Sequence, residues 1–246
     1  MRPDGASQYV RHMGTTPART LRVNSSSGSV KVTAEDRDDI EVTGAEPEVT
    51  RIGGSEIWTV PTTSGRVRAR VPNGTNVIVG TSSGSTTVEG RTGRTVVSTA
   101  SGRVRIEDAS EVDVRVKSGS VEIDSCEGSC CVRNDSGSVR VGSSGPVDIH
   151  ARSGRVVVGE ADGDATVRAM SGSVELSLIG SHSADIEAMS GRIELTVPDG
   201  VGVDLDIESE KGKVVTDVDE GSDATIRIRN GSGRIAVARG SAGDRS

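Results

Sequence analysis

The chain has 246 residues, 36 acidic against 29 basic side chains for a net charge of −7, and only Trp58 and Tyr9 as aromatics. That composition argues against an aromatic-walled ligand pocket, a stacking platform for single-stranded nucleic acid and the basic footprint of a duplex binder. An apolar content of 33%, with 32 glycines beside it, still provides a core, one made of small aliphatic residues.

Residues 1–20 carry Pro3, Gly5, Gly14 and Pro17 and are expected to form an N-terminal arm or cap. They hold no apolar run of the length a secretory signal needs. No stretch of the chain approaches the roughly 18 apolar residues of a membrane span. The expectation is a cytoplasmic protein without membrane insertion, its three cysteines reduced. A processed chain would allow the cell surface instead.

From residue 21 to 237 the sequence repeats. Small-residue–Gly turns recur at Gly28, Gly65, Gly84, Gly102, Gly119, Gly137, Gly154, Gly172, Gly191, Gly212 and Gly233. They lie 17 to 21 residues apart after a first gap of 37, which holds two units and a degenerate turn in GAEPEV, residues 44–49. Two and four residues after each glycine the chain is almost wholly apolar, as in Val121 and Ile123 or Ile193 and Leu195. Five and seven residues before it the same holds, as in Val114 and Val112 or Ile228 and Ile226. Polar residues stand between, and this period of two marks strands with one buried face.

Each unit therefore holds two short strands, an S-G turn and a variable loop. The fold class expected is all-β, a single β-solenoid (β-helix) of about twelve coils over residues 21–237, with 238–246 as a polar tail. A meander would need about twenty-four consecutive strands, where open sheets rarely exceed about ten. Stacked coils also explain why equivalent columns stay in step, since neighbours then lie about 4.8 Å apart. Each coil buries its apolar face only against its neighbours.

Several patterns resemble chemical sites. GTSSG, residues 80–84, matches G-x-S-x-G, but a nucleophile elbow needs a helix after the turn, and Ser82 precedes a strand. Aligning the repeats places Cys126 on Ala161 and Cys130 on Ala165, an inward position, and Cys131 on outward Thr166. C-x-x-x-C-C is no zinc spacing, so the cysteines read as small core fillers. His12, His150 and His182 stand beside no nucleophile or carboxylate dyad and read as surface residues. The acidic runs EADGD (160–164) and DVDEGSD (217–223) lack the ligand spacing of calcium loops and read as turns. Asn134 and Asn230 share one offset, three before the glycine, where they are placed to satisfy turn backbone groups.

One surface column stands out. The residue after each repeat glycine is basic or Ser, never acidic. Arg66, Arg103, Arg155, Arg192, Lys213 and Arg234 would line up as a stripe able to bind an extended anionic glycan. The competing reading is a charge ladder balanced by Glu89, Glu107, Asp124 and Asp217 on the same face.

The iterated SGSVEI, SGRVRI, SGSVELSL and SGRIELTVPDG, with the closing GSGRIAV, resemble the bacterial candidate-adhesin family of unknown function, the toast-rack β-solenoid repeat proteins. The resemblance covers about residues 15–238 and implies a structural or interaction module without catalytic residues. The function expected is a non-catalytic module, with no cofactor or metal, presenting repetitive surfaces to a protein or an anionic glycan. The alternative is a scaffold that polymerises through its terminal coils, like the bactofilins, making homo-oligomers through uncapped ends. A polysaccharide-acting β-helix enzyme is the remaining class, and its clustered acids and bases are not visible.

Overall fold

The computed structural model describes residues 19–240, and they form an all-β fold. The expected N-terminal arm up to residue 18, with His12, and the last six residues of the tail lie outside the described residues. The elements are β1 (Arg19–Glu35), β2 (Glu41–Thr43), β3 (Glu48–Ile52), β4 (Ser55–Thr62), β5 (Arg66–Pro72), β6 (Asn76–Cys126), β7 (Cys130–Ser144), β8 (Val147–Ala161), β9 (Ala165–Leu178), β10 (Ala184–Pro198), β11 (Gly202–Asp217), β12 (Asp219–Glu220) and β13 (Ala224–Gly240).

The chain winds in layers joined by parallel ladders, a solenoid-like stack. Except at Gly65, which parts β4 from β5, the S-G turn does not separate two strands as expected. Ladder bonding runs through it, so that β7 or β10 bends around its glycine as one element. The reason lies in the glycines themselves. All eleven have φ between +112° and +156°, where a side chain is strained. They also stack in the order Gly65, Gly28, Gly84, Gly102, Gly119, Gly137, Gly154, Gly172, Gly191, Gly233, Gly212. A Cβ on any member after Gly65 would overlap the carbonyl oxygen of the glycine before it in this series. Only Gly65, at one end, has open space.

That series departs from chain order at both ends. β1 lies between the β4–β5 layer and the first turn of β6. At the far end β13 lies between β10 and β11. The degenerate unit expected near residues 44–49 is not a coil. Two and four residues after Gly44 stand Glu46 and Glu48, which cannot face an apolar core. The chain on either side of Gly44 instead forms β2 and β3, which pair antiparallel with β5 and β4 on the outside of that end layer.

The four inward columns form one core. Val23, Val60, Val97, Val114, Val132 and Ile149 are fully buried, as are Ile106, Ile123 and Ile193. Thr86 and Thr95 are polar members that are also buried, and Thr95 exchanges a 2.9 Å hydrogen bond with Thr92. The columns fail in the end layer formed by β11. There Leu205 and Ile207 are only partly buried, and Val214 is 42% exposed.

The cysteines fill this core as the repeat alignment requires. Cys126 stacks on Ser144 and Ala161, and Cys130 on Val147 and Ala165. Cys126 donates to the carbonyls of Gly128 and Ser129 at 3.5 Å. The hydrogen bond with Cys126, then burial, pushes the Cys130 thiol well above its ordinary range. Cys131 is half-buried beside Ser129.

Two outcomes are expected. Gly65→Ala pays only for its positive φ, about 1–2 kcal/mol, whereas Gly137→Ala adds backbone displacement and should cost at least about 3 kcal/mol. Thermal melts of the two variants check this; equal losses would show that the stacking contact does not matter. Iodoacetamide at mild alkaline pH should label Cys131 alone in the native protein, with Cys126 and Cys130 reacting only in denaturant, as peptide mass mapping would read.

Candidate functional site

A fifth column, three residues before each glycine, shapes the surface. It holds small residues: Ser25, Thr62, Thr81, Thr99, Val116, Asn134, Ala151, Ala169, Ala188, Asn230 and Ser209. The hydroxyls turn back on the corner. Ser25, Thr62 and Thr99 donate to the carbonyls of Ser27, Ser64 and Ser101 at 2.9 to 3.1 Å. Asn134 and Asn230 donate from Nδ2 to the carbonyls of Gly119 and Gly191 in the adjoining layers, each at 3.4 Å, the turn-satisfying role their shared offset suggested.

Because this column is small while its neighbours are long, a groove runs along the stack. One section, about 880 Å³, has a floor of Asn134, Ala151, Ala169, Ala188, Asn230 and Ser209. Those six layers span about 24 Å at the usual strand spacing. One wall is Arg133, His150, Arg168, Glu187, Arg229 and Glu208. It is largely paired within itself: Arg168–Glu187 at 3.2 Å, Arg229–Glu187 at 3.5 Å and Arg229–Glu208 at 3.3 Å. The other wall carries Met170 and Met189, 49% and 65% exposed on successive layers. A second section of about 920 Å³ lies over the same column near the other end, lined by Asn24, Ser25, Thr62, Thr81 and the 44–46 segment. Between the two stands the Val116 layer, flanked by Arg115 and Lys117.

The basic stripe lies just past the glycines, and all six of its residues are exposed. Ser residues interrupt it over most of the stack: Arg155 lies between Ser138 and Ser173, and Arg66 beside Ser29. At one end it closes up, with Arg192, Arg234 and Lys213 on three successive layers. Arg155 holds Glu175 through two contacts of 2.7 and 2.9 Å, and Arg192 reaches Glu194 at 3.5 Å. Among the described residues, Arg66, Arg103, Lys213 and Arg234 have no carboxylate within the 4.0 Å of a salt bridge. The acids proposed to balance the stripe are engaged elsewhere. Glu89 pairs with Lys31 at 2.8 Å, Asp124 with Arg105 at 2.9 Å and Asp217 with Arg239 at 2.8 Å. Glu107 accepts from the Gly90 amide at 3.0 Å.

The remaining candidates occupy structural places. Ser82 is exposed within β6, whose ladder continues past Gly84. His150 contacts Asp148 at 3.1 Å and His182 contacts Asp162 at 3.1 Å. Asp164 and Asp223 accept from the backbone amides of Ser183 and Gly202, each at 3.0 Å. Sequence reasoning missed the groove, although the small residues at its offset and the twofold AMSG at residues 169–172 and 188–191 carried its signal.

The chain is similar to a candidate cell adhesion protein from Clostridium sporogenes at 10% identity, over 91% of this chain and 93% of that one. The TM-score is 0.25, too slight a likeness to carry an argument. No curated protein matches the chain. The Toastrack DUF4097 family model matches residues 15–241, in keeping with the repeat phrases quoted above, and the chain belongs to that family.

Proposed function

We propose that this protein is a non-catalytic interaction module that holds an extended, anionic polymer along its groove and basic stripe. One observation carries the reading: in-register stacking turns single residues of each repeat into columns that run across many layers. Such a surface matches a linear polymer better than a compact small molecule. In this reading the glycine layers are the coils of one solenoid. The self-pairing of the groove's charged wall leaves the stripe as the source of attraction. The favoured ligand is a glycan bearing carboxylates or sulfates, met by Arg103, Arg155, Arg192 and Arg234, with Arg66 and Lys213 at the two ends.

Titration with heparin, polygalacturonate and neutral dextran tests this. The two polyanions should bind, dextran should not, and no product should form. Replacing Arg103, Arg192 and Arg234 together by Ala should weaken polyanion binding about tenfold, at roughly 0.5 kcal/mol for each exposed charge. The affinity should also fall as salt rises. Equal binding of dextran, or turnover of any of the three, would overturn the reading.

A further inference from the structure

The two ends of the stack are finished differently. β2 and β3 cover the β4–β5 layer on both of its arms. At the other end β12 pairs only with Gly202 and Val203 of β11. From Asp204 to Asp217 the outer edge of β11 has no strand partner among the described residues. Its inward columns are also unfinished, with Leu205 and Ile207 partly buried and Val214 exposed.

This edge is complementary to itself. Laid antiparallel on a copy of itself about a centre between Glu210 and Lys211, the segment IESEKGKV, residues 207–214, pairs Ile207 with Val214, Glu208 with Lys213, Ser209 with Gly212 and Glu210 with Lys211. Apolar meets apolar, acid meets base and small meets small. The free edge runs from Asp204 to Asp217, and its midpoint is that same centre. Strict alternation would set Ile207 and Val214 on opposite faces, because they are an odd number apart. The glycine turn breaks the alternation, so the two arms of the layer have the same inward pattern and can exchange under a two-fold axis. Leu205 then meets Thr216 in the next inward position. Asp204 would face Asp217, but Arg239 already holds Asp217 at 2.8 Å.

We propose that the open end of the stack is an interface for a second copy of this chain, formed by antiparallel pairing of the two β11 edges. The pairing satisfies two rows of free backbone groups and covers both unfinished cores. Because a two-fold pairing uses the β11 edge of both copies, assembly stops at two. The proposal is independent of what the groove binds.

Light scattering across a concentration series, with two charge-reversed variants, tests this. The wild type should rise from 25.3 kDa to twice that mass and no further. Within residues 207–214, Lys211→Glu/Lys213→Glu leaves only acidic charges, and Glu208→Lys/Glu210→Lys leaves only basic ones. Each variant alone should stay monomeric while keeping the melting temperature that the wild type shows when dilute and monomeric, and an equimolar mixture should dimerise again. Hydrogen exchange on the wild type gives a reading free of any variant: amides of residues 204–217 should slow as concentration rises. A wild type that stays monomeric, growth beyond two copies, variants that dimerise alone, or a mixture that fails to rescue would each overturn the proposal.

Discussion

The glycine ladder is the constraint on which the other features rest. At the corner of each layer the backbone passes so near the next that no Cβ fits between them. The positive φ at the same residue supplies the bend. One residue type thus satisfies a torsional demand and a steric one together. Once successive glycines are in contact, the register of every other column follows, because a slip of one residue would turn an inward face outward. The core of small β-branched residues is then a consequence of the corner rather than its cause.

The surface follows from the same geometry. The column three residues before each glycine lies against the corner carbonyls, so it holds Ser, Thr, Asn or Ala except at Val116. Long side chains on either side then stand above it, and a groove exists wherever layers are stacked. The surface charges are mostly settled between layers, as in Arg105 with Asp124 or Arg155 with Glu175. Exposed pairs of this kind contribute little stability. Among the described residues the cations left without a carboxylate within 4.0 Å are Arg66, Arg103, Lys213 and Arg234 of the stripe, and Arg22, Arg68, Lys117, Arg133, Arg140 and Lys211 elsewhere.

The all-β class, the inward columns and the cysteine placement were legible because each depends on short-range alternation and a fixed repeat. Val121 and Cys130 lie where their offsets from Gly119 and Gly137 put them. What was not legible concerns neighbours across layers. No local pattern tells β1 to sit beside both β4 and β6, since any layer with the same columns offers an acceptable partner. The segment around Gly44 looked like a weak repeat because its glycine was counted and the two glutamates after it were not given weight. The groove was missed because a small residue three before the glycine was read as a filler of turns. Its effect on the shape between two taller columns is a property of the stack.

The exchange of order at the two ends has a mechanical consequence. β1 and β13 are the outermost described strands in the chain, yet both are interior to the stack, bonded along both edges. A strand at a free edge can be peeled away one bond at a time by a pull across it. A strand held on both sides must shear many bonds together when tension is drawn along its length. Load entering at either end of the fold is therefore shared at once between two neighbouring layers. The layers that would be lost first, β4–β5 and β11, are those through which that tension does not enter.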